Sequence, residues 1–227
     1  MAVADLYPVG LVVADRPCLV VGGGRVAARK IGGLLACRAD VTVVAPEAHV
    51  ALGILAQEGV FAQLEGPHLK VHLRPYRPGE AARYRLVVTA TGDPAVDGAV
   101  HRDAEEAGVW VNSADDPEHC SFLLPAVSRD GPVTVTVSTG GASPALASWL
   151  RTRAAETLGP RLGLLAALLD EARGRLKERG APTESVDWAE LLEGPLPDLV
   201  RRGELDHARR IVDAAVEGAP PAAARPS

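Results

Sequence analysis

The chain has 227 residues, with 47% hydrophobic and 23% charged residues, a net charge of −5 and three cysteines. That composition excludes wholesale disorder and a collagen-like repeat, and the acidic balance excludes the basic footprint of a dedicated nucleic-acid binder. No uninterrupted apolar stretch approaches the roughly 18–20 residues that span a bilayer, and the first residues lack a charged-then-apolar leader pattern. Cys18, Cys37 and Cys120 are odd in number and widely spaced, which predicts neither a disulfide framework nor a zinc module and places the protein in the cytoplasm.

Residues 17–22 form a short apolar run ending in glycine, read as a buried parallel strand. From Arg25 to Cys37 the period becomes helical, and 41–44 is a second strand closed by Ala45-Pro46. A helix over roughly 48–58, a strand at 70–74, a strong strand at 86–90, a helix over about 94–107 and a strand at 109–111 follow. Strands alternating with helices predict a Rossmann-like doubly wound parallel sheet. After residue 115 the rhythm breaks. Residues 122–127 and 133–137 read as strands around an Asp130-Gly131-Pro132 turn, and the second alternates Val and Thr as a half-exposed strand does. Ser143-Pro144 is a helix start, Ser as cap and Pro as first helical residue, and the rest reads as mostly helix. The expected division is therefore 1–115, a nucleotide-binding domain; 116–145, a β-rich linking segment; 146–217, a helical region; and 218–227, a disordered tail.

Gly22-Gly23-Gly24-Arg25-Val26-Ala27 reads as G-x-G-x-x-A between a strand and a helix. Gly22 permits the tight turn, Gly24 lets backbone approach a pyrophosphate, and Ala27 lets the helix sit close to the strand. The helix N-terminus then offers free N–H groups to the phosphates. The acid that usually takes the ribose hydroxyls should stand near Ala45-Pro46, and the nearest is Glu47. No Arg follows the strand directly, which favours NAD over NADP. A second polar cluster, Asn112-Ser113-Ala114-Asp115-Asp116-Pro117, lies just past a strand, where ligands of open α/β sheets bind. A carboxylate there either serves proton transfer or caps a turn before Pro117. Asp115, Asp116, His119 and Cys120 lie within six residues, yet without structural-metal spacing, so no metal site is assigned.

The stretches 18–30, 41–47, 90–93, 112–126 and 137–147 together resemble, in order and spacing, the precorrin-2 dehydrogenase and sirohydrochlorin ferrochelatase family, the dehydrogenase module of siroheme synthase. The resemblance implies a Rossmann domain followed by a small β segment and a helical region that build a homodimer. It implies NAD-dependent oxidation of precorrin-2 to sirohydrochlorin, with Fe²⁺ as a further substrate in members that go on to make siroheme. By position it puts the catalytic carboxylate on Asp115. Cofactor contacts fall on Gly22, Gly23, Gly24, Arg25, Val26, Pro46, Glu47 and Thr91. Precorrin-2 carries eight carboxylates, and Asn112 with the Gly140-Gly141-Ala142-Ser143 loop are its candidate contacts; a capped helix after a flexible turn explains that loop equally well. Arg173, Arg175, Lys177 and Arg179 read as a solvated face, with carboxylate gripping as the rival. Two other functions stay open: a nucleotide-sensing regulatory module without catalysis, and a chelatase alone.

Overall fold

A computed structural model describes residues 6–47, 68–114 and 116–220. Between Leu124 and Pro125 the chain divides into two compact units. The first holds five parallel strands, β1 (Pro17–Val21), β2 (Asp40–Ala45), β3 (Leu69–Leu73), β4 (Leu86–Thr89) and β5 (Trp110–Ser113), in the order β3-β2-β1-β4-β5. The order reverses between β1 and β4, the switch point at which such sheets bind ligands. Helix α1 (Arg25–Leu35) follows β1 and α2 (Pro94–Glu106) follows β4. The helix expected over 48–58 lies outside the described residues.

Central strands need apolar side chains on both faces, and β1, β2 and β4 supply them. Cys18, Val20, Val41, Val43, Leu86 and Val88 pack with Ala27, Ala28 and Ile31 of α1 on one face. Leu19, Val21, Val44 and Val87 pack with Val100 and Ala104 of α2 on the other. Ala27 and Ala28 are small, which allows α1 to lie close to the sheet. Edge strand β3 carries exposed Lys70 and His72, a polar edge that discourages pairing with another chain. The free edge of β5 is covered instead: Ser121 N–H donates to the Val111 carbonyl at 2.9 Å, and Val111 N–H donates to Ser121 Oγ at 2.8 Å. These bonds hold residues up to Leu124 with the sheet unit, nine residues past the boundary expected at 115.

The second unit starts with an antiparallel hairpin of β6 (Ala126–Asp130) and β7 (Val133–Val137), followed by α3 (Pro144–Leu158), α4 (Leu162–Glu178), α5 (Trp188–Glu193), α6 (Leu196–Arg202) and α7 (Leu205–Gly218). Strand β6 starts four residues later than the apolar run at 122–127 suggests, because Asn112 and the β5 edge hold residues 121–122. Val133, Val135 and Val137 are half-buried while Thr134 and Thr136 are exposed, the predicted alternation. Ser143 caps α3, its Oγ accepting the Leu146 N–H at 3.2 Å. Leu168, Ala172, Leu176, Leu196, Leu199, Val212 and Val216 form one core under α4, α6 and α7.

Two expectations change here. The tail expected from residue 218 does not start there, since Gly218 closes α7 and Ala219 is buried in that core; 221–227 lie outside the described residues. The basic end of α4 is exposed at Arg173, Lys177 and Arg179, as a solvated face is, but it also makes contacts. Arg175 pairs with Asp213 at 2.7 Å, Arg179 donates to the Val216 carbonyl at 2.6 Å, and Arg173 lies over the Trp188 ring, so these cations tie α4 to α7 and α5.

Candidate functional site

The glycine loop leaves β1 at the switch point. Gly22 N–H donates to the Val44 carbonyl at 2.9 Å, continuing the β1–β2 ladder one residue past the strand. Its φ of +123° suits glycine, and a Cβ there would stand 2.8 Å from the Ala90 carbonyl carbon and closer still to its oxygen. Gly23 meets the other neighbour: a Cβ would lie 2.6 Å from the Glu47 carbonyl oxygen and 3.1 Å from Ala45 Cβ. The loop is thus wedged between the ends of β2 and β4.

Gly24 is different. Among the described residues a Cβ at this position would meet nothing within 4 Å, and none of their side chains bonds to the first N–H groups of α1, which Gly24 caps. An uncapped helix start facing open space is what a pyrophosphate needs: unsatisfied donors, a positive dipole end and room for backbone approach. The residues present therefore fit a dinucleotide. Gly22, Gly23 and Gly24 with the first residues of α1, Arg25 and Val26, would hold the phosphates. Pro46 and Glu47 follow β2 beside Gly23, where they would meet the ribose.

On the other flank Thr91 sits just past β4, its amide 3.3 Å from where a Gly22 Cβ would be. Asp97, in the first turn of α2, organises this flank. Its carboxylate accepts hydrogen bonds from the fully buried Thr89 hydroxyl and from Thr91 Oγ1 at 2.6 Å. Thr91 Oγ1 in turn accepts the Asp93 N–H at 3.0 Å, and Asp93 caps α2 through Ala95 N–H at 2.9 Å. Sequence reasoning singled out Thr91 but missed Asp97. The D-P-A-V-D spacing at 93–97 is the signal, a capping acid followed one turn later by a second acid.

Beyond β5, the Ala114 N–H donates to the Thr89 carbonyl at 2.9 Å. Asp115 follows directly in the chain and lies outside the described residues. Asn112 is 5% exposed, and its Nδ2 donates to the Phe122 carbonyl at 3.0 Å and to Cys120 Sγ at 3.4 Å, while its Oδ1 meets no partner among the described residues. Cys120 Sγ also accepts the Ser113 N–H at 3.2 Å and lies 3.3 Å from the Asp116 carbonyl, so the thiol closes the segment between β5 and residue 120. Burial pushes this thiol above its usual pKa. Asp116 holds His119 at 2.6 Å, and that hydrogen bond keeps the Asp116 carboxyl below its usual pKa. The His119 ring packs 4.6 Å from that of His101. Among the described residues no three His, Cys, Asp or Glu side chains converge as metal ligands.

The structure therefore brings Gly22, Gly23, Glu47 and Thr91 together around one strand-end crevice. Gly140, Gly141 and Ser143 belong to the second unit. Both glycines have positive φ, 60° and 87°, and Thr139 Oγ1 accepts the Ser143 N–H at 3.0 Å, which locks the turn into α3.

An NAD(P)-binding family model matches residues 9–126, and a model described as "Sirohaem biosynthesis protein central" matches 130–153. A siroheme synthase of Methylococcus capsulatus is 37% identical over 217 residues, covering 95% of this chain and 44% of that protein. One from Methylobacillus flagellatus is 35% identical, covering 94% and 44%. The chain thus spans less than half the length of these curated relatives. The solved structure of SirC, precorrin-2 dehydrogenase, superposes with a TM-score of 0.69 at 25% identity, covering 93% of this chain and 99% of that one. Among the described residues no helix is long and apolar enough to cross a membrane. With the nucleotide-binding model matching just over half of its length, the chain belongs to the NAD(P)-binding family, and its similarity extends to siroheme synthases and to a precorrin-2 dehydrogenase.

Proposed function

We propose that this chain is an NAD-dependent precorrin-2 dehydrogenase that forms sirohydrochlorin in siroheme biosynthesis. The observation that carries the reading is an open, uncapped glycine loop inside a fold that matches a solved precorrin-2 dehydrogenase nearly end to end. NAD, when bound, accepts the hydride that precorrin-2 loses. The glycine loop orients the cofactor by its phosphates, while Pro46 and Glu47 take the ribose side. Asp115, following the last sheet-bound amide, is the group proposed to accept the proton that leaves the macrocycle or to hold its nitrogens. Gly140, Gly141 and Ser143 are proposed as a further seat for substrate carboxylates, with Asn112 holding the segment that follows Asp115.

The partner in this reading is a second copy of the chain. Leu146, Trp149 and Leu150 make one exposed apolar face of α3, at 47%, 56% and 38% exposure, the kind of surface a homodimer covers. The cytoplasm is its proposed site of action, a reading supported by the odd number and wide spacing of its three cysteines.

Mixing the protein with precorrin-2 and NAD tests the activity: NADH and the sirohydrochlorin spectrum rise together. Absence of NADH would sink the proposal and leave a sensing module or a chelatase. Fe²⁺ added to sirohydrochlorin measures chelation independently. Asp115→Ala should bind NAD as the wild type does and lose kcat by at least about 100-fold; an active variant removes Asp115 from the mechanism.

A further inference from the structure

In this topology the end of β2 faces the adenosine ribose of a bound dinucleotide, where an acid suits free hydroxyls and an Arg suits a 2′-phosphate. The sequence directly after β2 supplies Pro46 and Glu47 and no cation. The fold supplies one from elsewhere. Strand β3 runs parallel to β2 with Leu73 beside Ala45, and the next residue, Arg74, donates its backbone N–H to the Ala45 carbonyl at 2.9 Å. An arginine 29 positions away from Ala45 in sequence is therefore bonded through its backbone to the end of β2, the side on which the ribose of a dinucleotide is expected.

Its guanidinium is already engaged. One terminal nitrogen donates to Glu80 Oε2 and the other to Glu80 Oε1, both at 2.8 Å, and the first also donates to the Pro75 carbonyl at 3.1 Å. Glu80 is 8% exposed, and its Oε2 also accepts the Arg77 N–H at 2.9 Å. Glu80 opens a 3-10 turn (Glu80–Arg83), and the segment leading into it is tied to α2: Tyr76 Oη and Gly79 N–H both donate to Asp103 Oδ2, at 2.7 and 2.6 Å. The segment that carries Glu80 is thus tied to α2, and the Glu80 carboxylate holds Arg74 in a two-point fork, the geometry that the same guanidinium would use on a phosphate.

We propose that Glu80, by locking Arg74, is a specificity-determining residue that makes this site select NAD over its 2′-phosphorylated form. The inference rests on the reading of the crevice as a dinucleotide site and concerns the ligand that site refuses. With Glu80 in place the cation at the end of β2 is neutralised and held, so Arg74 is not available to a 2′-phosphate. With the lock removed, the same arginine becomes a phosphate ligand.

Calorimetric titration of NAD and NADP into the protein without substrate tests this. Wild type should prefer NAD. Glu80→Gln, which keeps the side chain's shape and removes its charge, should bind NADP about tenfold more tightly than wild type does, a change of ~1.4 kcal/mol, with NAD affinity little changed. The double variant Arg74→Gln/Glu80→Gln lacks the freed cation and should lose the gain, with circular dichroism reporting that each variant is folded. Should Glu80→Gln fail to fold, Glu80→Asp, which shortens the carboxylate and breaks the fork, must move NADP affinity in the same direction. A single variant with no gain for NADP, or a double variant that gains as much, overturns the proposal while leaving the dinucleotide site standing. A wild type that binds neither nucleotide overturns both.

Discussion

Gly22 and Gly24 are two residues apart and do opposite jobs, which mutation can separate. At Gly22 the positive φ and the Ala90 carbonyl both exclude a side chain, so Gly22→Ala should destabilise the sheet unit by at least about 1–3 kcal/mol. At Gly24 there is room for a methyl group, and Gly24→Ala should cost the fold only about 1 kcal/mol through a poorer helix cap. The same methyl group projects into the space proposed for the pyrophosphate, so NAD affinity should fall in this nearly stable variant. Thermal melts with and without NAD check both: Gly22→Ala lowers the melting temperature of the free protein, whereas Gly24→Ala chiefly loses the shift that NAD produces. Equal losses from the two would mean that Gly24 serves packing rather than the cofactor. The motif and the separate roles of Gly22 and Gly24 are legible in the sequence; the groups that crowd the loop, the Ala90 and Glu47 carbonyls, are not, because they follow other strands that only the fold brings beside it.

The elements flanking the crevice are held by side chains as much as by the sheet ladder. Helix α2 begins at Pro94 with Asp93 as its cap, within the helix expected over about 94–107, and Asp97 one turn later reaches back to Thr89 and Thr91. Asp97→Ala would leave the fully buried Thr89 hydroxyl without its acceptor, at about 1–3 kcal/mol. It would also release Thr91. A lowered urea midpoint together with weaker NAD binding is the expected result; a variant with unchanged stability would show that Thr89 finds another acceptor. Strand β6 illustrates the opposite limit of local reading. Phe122-Leu123-Leu124 is apolar enough for a strand, yet the Asn112 amide and the open edge of β5 claim residues 121–122, and pairing with β7 starts only at Ala126. An apolar run says that a segment is buried, and its partner decides what shape it takes.

For the whole molecule, each unit carries its own core: branched aliphatics on both faces of the sheet in one, and a leucine-, valine- and alanine-rich helix cluster in the other. The face of α3 bearing Leu146, Trp149 and Leu150 is the large apolar surface for which the homodimer proposal accounts. If a second copy covers it, light scattering on the wild type gives twice the chain mass, and Trp149→Glu gives the mass of one chain. A wild type that runs as a monomer overturns the dimer.

By itself the sequence determined the parallel strands, the helix starts at 25, 94 and 144, and the glycine loop between β1 and α1. These follow from local periodicity, from glycine's access to positive φ and from capping chemistry, all written in neighbouring residues. Only the tertiary structure decided which distant groups share the crevice. Arg74 reaches the end of β2 because β3 pairs with it in parallel, and Glu80 holds that arginine because the segment between β3 and β4 is anchored on α2. Residues 120–124 stay with the sheet because Cys120, Ser121 and Phe122 complete hydrogen bonds that β5 and Asn112 leave open. The physical reason is the same in each case: strand register and buried hydrogen-bond satisfaction are properties of partners, and partners far apart in sequence meet only in the fold.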